Sequence, residues 1–268
     1  MDFVLILGYL GALIIGVILG LIGGGGSILT APVFVYLLGI EPVTATAYSL
    51  FVVGIVSLFG AGKNLQKGLV DYKTAFTFAV PAVISIYSVR KFLIPVIPEV
   101  IIKFNGYILT KNIAIMVFFA ILMVTAAISM IKKNTTEIES KKSNINNYNS
   151  FNLSVLGLLT GLVTGIVGAG GGFIIIPILV LLAGLSMKKA VGTSLFIIAI
   201  NSLLGFLGDV NEVSIDWKFL LSFSTVAIIG VFFGIYLNQF INGKKLKTSF
   251  GWFVLIMGAY ILSKEILF

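Results

Sequence analysis

The sequence contains no cysteine and no histidine among its 268 residues. The lack of cysteine excludes disulfides and thiolate chemistry. The lack of histidine removes a common metal ligand and the usual general base of serine hydrolases. No other catalytic dyad is visible, so we expect a protein that is not an enzyme and that holds no metal or cofactor.

Charged residues are also scarce, at 10% of the chain, whereas soluble domains carry about a quarter. Hydrophobic residues make up 59% and the mean hydropathy is +1.14. Such a chain has too little polar surface to fold in water, which predicts an all-α, multi-pass integral protein of the cell membrane, with the lipid bilayer as its partner. The net charge of +8 comes largely from short loops between apolar runs. It therefore indicates membrane topology and a mild attraction for anions, with no nucleic-acid binding.

About 20 apolar residues span a bilayer as a helix. Runs of about this length predict about 8–10 membrane segments, of which the clearest are 3–22, 43–62, 76–89, 113–131, 151–167, 187–207, 219–236 and 250–263. The first run lacks a positively charged leader, so we expect it to be retained. Two runs, 28–38 and 173–183, are too short to span alone, and 92–110 is predicted to be an interfacial connection. The hydrophilic stretch 132–150 predicts a flexible linker between two halves, 1–131 and 151–268.

The two halves repeat each other with an offset of 145 residues and no gap. From Gly16 to Gly60 the register gives 17 identities in 45 positions, which include Pro32 with Pro177. It also brings Asp71-Tyr72-Lys73 onto Asp216-Trp217-Lys218. Unrelated apolar segments do not keep glycines, prolines and a polar tripeptide in one register, so an internal repeat is predicted.

Corresponding loops of the two halves have opposite charge. Glu41 lies in one loop and Lys188 and Lys189 lie in its mate, while the lysine-rich loop 63–73 corresponds to the more acidic loop 208–218. Since basic loops stay on the cytoplasmic side, this predicts inverted-topology repeats with 63–73, 132–150, 188–189 and 244–247 inside and both termini outside. Each half then crosses the membrane three or five times, depending on whether the short segments re-enter or cross. Four basic residues disagree with this scheme: Arg90, Lys91, Lys103 and Lys111.

A cluster of small residues, which we call a glycine break, interrupts the apolar sequence of each half near the expected midplane. The first break is Gly23–Gly26 and the second is Ala169–Gly172. Non-helical backbone inside a membrane needs its polar groups satisfied by protein, water or ligand. The helix after each break presents unpaired N–H groups and the positive end of its dipole, which favours an anion. Isolated glycines such as Gly16 and Gly161 are better explained by close helix packing. Nucleotide binding is rejected because the Gly-Lys-Ser/Thr ending of a phosphate-binding loop is missing.

The candidate substrate-binding residues are the two breaks and the polar side chains on the helices that follow them. They are Gly23, Gly24, Gly25, Gly26, Ser27, Thr46, Ser49, Ala169, Gly170, Gly171, Gly172, Thr193, Ser194 and Asn201. Thr30 and the pair Ser57 and Ser202 lie nearby without being assigned to the site. No charged residue falls deep within a predicted span, so we expect no buried carboxylate for proton coupling.

The chain resembles the sulfite exporter TauE/SafE family, also called toluene-sulfonate uptake permeases. The resemblance rests on the first motif, Gly-Leu-Ile-Gly-Gly-Gly-Gly-Ser with Pro32, and on the second, Gly-Ile-Val-Gly-Ala-Gly-Gly-Gly with Pro177, followed by Ala190-Val-Gly-Thr-Ser-Leu195. It covers nearly the whole chain and implies transport of small sulfur-containing or organic anions. Tyr48 stands where the second half has Thr193, so the halves are not equivalent at the site.

The sequence thus predicts a secondary transporter of small anions, such as sulfite, sulfonates or sulfoacetate, that works by alternating access between the two repeats. Two alternatives stay open. One is a passive anion channel on the same fold, and the other is a membrane assembly or accessory protein in which the glycines only pack helices. Homo-oligomerisation is also left open.

Overall fold

The computed structural model describes residues 3–104, 107–131, 150–238, 240 and 243–267. Its main helices are α1 Phe3–Ile22, α2 Ser27–Pro32, α3 Pro42–Gln66, α4 Tyr72–Ser88, α5 Ile94–Val96, α6 Lys111–Ile131, α7 Ser150–Val167, α8 Gly172–Leu181, α9 Met187–Phe206, α10 Trp217–Leu237 and α11 Gly243–Leu267. Two π-helical turns, Val33–Leu37 and Val89–Leu93, extend α2 and α4. The predicted all-α class is confirmed, with one small antiparallel hairpin, β1 Val100–Phe104 and β2 Tyr107–Thr110, as the exception.

Seven helices in the described part are long and apolar enough to cross a membrane. They also carry large apolar side chains on their outer faces. On α4, for example, Phe76, Val80 and Ile84 are each more than half exposed and follow one another at intervals of four residues. A helix that presents such a stripe away from the core requires an apolar solvent. The fold is therefore that of a multi-pass integral membrane protein.

Several predicted boundaries were wrong. The loop 63–73 is shorter than predicted because α3 continues to Gln66, and α4 begins directly after Asp71, whose carboxylate accepts the Thr74 N–H at 2.9 Å. The run 76–89 does not stop before Arg90, since the helix continues through the π-helical turn and α5 to Val96. The connection 92–110 is therefore helix followed by a β-hairpin. The predicted linker falls almost wholly on 132–149, which lies outside the described residues.

The chain reverses at the first glycine break. Gly26 lies against the backbone of Leu19, and Leu38, later in the chain, lies against Gly8 near the start of α1. The segment Ser27–Leu37 therefore runs antiparallel to α1 and returns to the end of the bundle where α1 begins, which we call the N-terminal end. The second break makes the same reversal, with Gly171 packed against Thr164. We call these two reversals hairpin 1 (α1 and α2) and hairpin 2 (α7 and α8).

Each hairpin packs on a long helix of the other half. Gly16 lies against Ala227 and Gly20 against Val231, so α1 and α10 run parallel. In the 145-residue register the same contact recurs between α7 and α4, where Gly161 lies against Ala82. Added methyl groups at these glycines would meet backbone atoms of the neighbouring helix. The isolated glycines thus permit close helix packing, as predicted.

The two hairpins enter the bundle from opposite ends. α3 and α9 are antiparallel, because Gly54 lies against Leu203 and Gly60 against Leu195. α4 begins beside the start of α9, where the Asp71 N–H donates to Thr193. By the equivalent contact, in which the Asp216 N–H donates to Tyr48, α10 begins beside the start of α3. Hence α4 and α10 run in opposite directions. Hairpin 1 follows α10 and hairpin 2 follows α4, so the two hairpins are also opposed. An inverted repeat requires this arrangement; its orientation in the bilayer stays a prediction.

Five lysines that the predicted scheme places inside lie at one end of the bundle. The exposed lysines Lys63, Lys67, Lys73, Lys188 and Lys189 share the far end of the bundle, where α3 ends and α4 and α9 begin.

Two of the four disagreeing basic residues at the N-terminal end are paired with carboxylates. The Lys111 ammonium lies 3.3 Å from Glu99, and the Arg90 guanidinium lies 3.2 Å from Asp209. All four basic residues still disagree with the predicted scheme, because the rule counts lysine and arginine and gives carboxylates little weight.

Candidate functional site

The two glycine breaks meet inside the bundle. Gly24 and Gly172 are in backbone contact, so close that a methyl group on either residue would overlap the other's backbone. Gly23, Gly168, Gly170 and Gly171 have φ values between 64° and 84°. This left-handed region is open to glycine at little cost. Glycine is therefore needed here both for the turns and for the contact between the two breaks.

Backbone N–H groups at both breaks are left without a hydrogen-bond acceptor among the described residues. They belong to Gly24, Gly25 and Gly26 in the first break and to residues 169–173 in the second. All these residues except the half-buried Phe173 are buried. Buried backbone N–H groups are nearly always paired in proteins, so two clusters of unpaired donors in contact indicate a place for an acceptor that comes from outside the fold.

Buried polar side chains without a hydrogen-bond partner lie on the helices that follow the two breaks. The hydroxyls of Ser49 and Ser57 on α3, the hydroxyl of Ser202 and the amide oxygen of Asn201 on α9 are buried and have no hydrogen-bond partner. The Thr30 hydroxyl on α2 is in the same condition. The Ser202 hydroxyl faces the second break: it lies 2.8 Å from the position that a Cβ on Gly170 would occupy. The helices α3 and α9, which carry the three serines and Asn201, pack on each other.

Other predicted site residues already have partners within the fold. The Ser27 hydroxyl donates to the Gly24 carbonyl at 2.7 Å, which ties the first break together. The Ser194 hydroxyl donates to the Val191 carbonyl at 2.9 Å, the usual back-bond of a serine in a helix. Ser194 nevertheless lies beside the first break, because its oxygen is 3.2 Å from a Cβ built on Gly23.

Thr193 has a structural contact that its sequence position did not reveal. Its hydroxyl accepts the Asp71 N–H at 3.0 Å. The repeat mate Tyr48 accepts the Asp216 N–H at 2.7 Å with a longer side chain. Each contact fastens the start of a helix from one half to a helix of the other. Tyr48 and Thr193 therefore make equivalent hydrogen bonds, although the two residues differ.

The expectation that no buried carboxylate exists was wrong, because Asp209 is buried and pairs with a buried arginine near the N-terminal end of the bundle. Arg90 lies in the π-helical turn that extends α4 and is 1% exposed. One of its terminal nitrogens, Nη1, lies 3.2 Å from Asp209 and donates to the Thr46 hydroxyl at 3.0 Å. Thr46 in turn donates to the Val43 carbonyl. The burial of Arg90 was not predicted because Arg90 was taken to end its helix, whereas the helix continues and turns Arg90 inward.

Asp209 completes this ion pair from the loop between α9 and α10 and is 2% exposed. Burial raises the pKa of its carboxyl group to about 6, although the neighbouring Arg90 guanidinium opposes the shift. The pair lies beside the second break, because Arg90 Nη2 is 2.6 Å from a Cβ built on Gly168.

A helical membrane protein with two opposed hairpins whose glycine breaks meet among unpaired polar groups has the architecture of a membrane transporter. The profile of the sulfite exporter TauE/SafE family matches residues 8–261. The chain belongs to this family.

Relatives with curated names agree with this assignment. A probable membrane transporter protein of Xylella fastidiosa (strain 9a5c) is 25% identical over 252 residues, covering 93% of this chain and 91% of the relative. The probable membrane transporter protein YdhB of Bacillus subtilis is 24% identical over 237 residues, with 88% and 91% coverage. A Methanocaldococcus jannaschii protein of the same description is 30% identical over 115 residues, with 41% and 43% coverage. No solved structure matches the chain significantly. The protein is thus a membrane transporter.

Proposed function

We propose that this transporter carries small anions, in particular sulfur-containing ones such as sulfite, sulfonates or sulfoacetate, by alternating access between its two halves. The observation that carries the proposal is the contact between the two glycine breaks, where buried N–H groups are unpaired and the unpaired Ser202 hydroxyl lies against Gly170. N–H and O–H groups donate hydrogen bonds, so the missing partner is an acceptor. The positive ends of the helix dipoles favour an acceptor that carries negative charge.

The chemistry of the site fits a small oxyanion. The unpaired donors lie on four segments: the two breaks, α3 and α9. Several oxygen atoms on one central atom can accept from several directions at once, as the oxygens of a sulfite or sulfonate group do.

The arrangement of the hairpins supports alternating access. Hairpin 1 closes the site from the N-terminal end and hairpin 2 from the far end, and each packs on a long helix of the opposite half. Rocking one half against the other would open one hairpin while the other stays closed. The substrate at the contact between the breaks would then face the two sides of the membrane in turn.

A ligand screen on the purified protein tests the proposed function. Thermal unfolding in detergent would be measured with sulfite, methanesulfonate, sulfoacetate, acetate and phosphate. A bound anion raises the unfolding temperature by mass action, and we expect a saturable rise with at least one sulfur oxyanion. The double variant Ser57→Ala and Ser202→Ala should weaken that anion's binding about a hundredfold or more, since two hydrogen bonds to a charged group are lost.

Ser263→Ala is the matched control. Its hydroxyl is exposed and bonds back to the Ala259 carbonyl on α11, so this variant should bind the anion like the wild type. An unfolding temperature that no anion shifts would favour the accessory-protein alternative. Equal affinity in the double variant and the control would place the anion elsewhere in the protein.

A further inference from the structure

The Arg90–Asp209 pair has features that helix packing alone does not require. Arg90 has five N–H donors, and its contacts with Asp209 and Thr46 are both made by Nη1. Nε and Nη2 are buried and have no hydrogen-bond partner in the described part of the chain. Leaving buried donors of a cation unpaired destabilises the fold. A guanidinium in this condition, next to a glycine break with free N–H groups, is suited to receive an oxyanion in the forked geometry that arginine prefers.

We propose that Arg90 is an anion-binding residue at the N-terminal end of the transport site and that protonation of Asp209 frees it to bind the substrate. This inference rests on the proposed function and extends it with a residue and a coupling ion. In the resting state Asp209 neutralises Arg90. When a proton from solution binds the Asp209 carboxylate, that charge disappears and the substrate anion takes its place beside Arg90. One proton and one monovalent anion enter together, so the buried charge does not change.

The charged groups around the pair fit this exchange. Arg90 is the nearest opposite charge to Asp209, and Glu212, three residues along the same loop, is the other charge that acts on it, favouring its protonated form. α3 and hairpin 2 contribute Thr46 and Gly168 at the pair, neither of which titrates. Lys91 follows Arg90 in the chain, but its exposed ammonium donates to the Tyr87 hydroxyl. The carboxyl of Asp209, whose burial raises its pKa to about 6, is therefore the group that titrates near neutral pH.

Comparison of the two repeats shows that the Arg90–Asp209 ion pair is present at one end of the protein and has no counterpart at the other. At the offset of 145 residues, Arg90 corresponds to Ile235 and Asp209 corresponds to Asn64. The Asn64 side chain donates to the Gly60 carbonyl of its own helix at 2.9 Å. The contacts Gly16–Ala227 and Gly161–Ala82 recur between the two halves, whereas the ion pair has no mate at the other end.

The test measures anion binding to the purified full-length protein in detergent as a function of pH. The probes are methanesulfonate and toluenesulfonate, which stay singly charged throughout, so a change in affinity between about pH 5 and about pH 8 belongs to the protein. In the wild type we expect affinity to rise as pH falls through about 6, approaching tenfold per pH unit above that value. Asp209→Asn should bind with the low-pH affinity at every pH. Arg90→Lys, which keeps the charge but loses the fork, should bind about tenfold more weakly.

Two further variants separate binding from folding. Lys91→Gln removes a neighbouring exposed charge and should keep the wild-type pH profile. The double variant Arg90→Gln and Asp209→Asn leaves no unpaired buried charge and so should fold even if a single variant does not. It should lose both the high affinity and its pH dependence.

The outcomes distinguish the two proposals. A wild-type pH profile in Asp209→Asn, or wild-type affinity in both Arg90→Lys and the double variant, would overturn the role of the pair while leaving the anion transporter intact. A wild type that binds none of the tested anions at any pH would overturn the proposed function itself.

Discussion

The contact between Gly24 and Gly172 should not tolerate one additional methyl group. In Gly24→Ala the new Cβ would lie 2.5 Å from the carbonyl carbon of Gly172 and 2.7 Å from its oxygen. Carbon atoms in contact are separated by about 3.5 Å, so the two breaks would have to move apart by roughly 1 Å. Both sides of the contact are backbone and cannot rotate away. Overpacking of this kind costs about 1–3 kcal/mol.

Thermal unfolding in detergent measures this cost, with Gly62→Ala as the control. Gly62 is helical, and a Cβ there would meet nothing within 4 Å. At about 2–4 °C per kcal/mol, Gly24→Ala should lower the unfolding temperature by roughly 2–12 °C. Gly62→Ala should leave it unchanged or raise it slightly, because alanine favours helix by up to about 1 kcal/mol. Equal unfolding temperatures for the two variants would refute the close contact between the breaks.

Three other predictions concern helix anchoring, topology and pH. Thr193→Val and Tyr48→Phe each remove the acceptor of a helix-start N–H and should each lower stability by about 1 kcal/mol in chemical unfolding, additively in the double variant. Because the chain has no native cysteine, single cysteines at Gln66 and Asn211 can be labelled selectively in intact cells, and only Asn211→Cys should react from outside. The raised pKa of Asp209, about 6 instead of 3.8, means that its protonation stabilises the fold; relative to Asp209→Asn, the wild type should become more stable as pH falls from about 7.5 to about 5.

Each of these three predictions can be contradicted by a specific result. The control for helix anchoring is Thr225→Val, since the Thr225 hydroxyl is exposed and donates to its own helix; a loss of stability equal to that of Thr193→Val would show that the anchoring bonds contribute nothing specific. Labelling of both cysteines from the same face would rule out the inverted topology. A stability difference between wild type and Asp209→Asn that does not change with pH would mean that Asp209 does not titrate in this range.

The sequence predicted the parts of the fold that depend on local pattern and on the repeat. Apolar runs of sufficient length marked the long helices, and the two glycine clusters marked both chain reversals. The repeat also relates contacts that are far apart in sequence, such as Gly16 with Ala227 and Gly161 with Ala82. The sequence could not show that the second helix of each hairpin returns to the end of the bundle where the first helix begins. Length alone does not distinguish a re-entrant helix from a crossing one. If both hairpins are re-entrant, each half crosses the membrane three times, and in the first half the crossing helices are α3, α4 and α6.

The missed residues were those whose roles depend on partners distant in sequence. Arg90 and Lys91 looked like the polar end of a span, although the apolar Phe92-Leu93-Ile94 that follows was a signal that the helix continues. Asp209 looked like one of several acids in a loop, and only the packing of that loop against α4 buries it. Ser57 and Ser202 were recognised as repeat mates, but periodicity could not tell an unpaired buried hydroxyl from one that bonds to its own helix.

Counterflow in proteoliposomes tests the central claim most directly. Vesicles containing the purified protein and loaded with an unlabelled sulfur oxyanion would be diluted into trace labelled anion. We predict saturable uptake that the internal anion accelerates and that Gly170→Val abolishes, since valine at a φ of +64° would collide with Ser202 and Val53. Flux that neither saturates nor responds to internal anion would indicate a channel, and unchanged uptake by Gly170→Val would contradict the site at the glycine breaks.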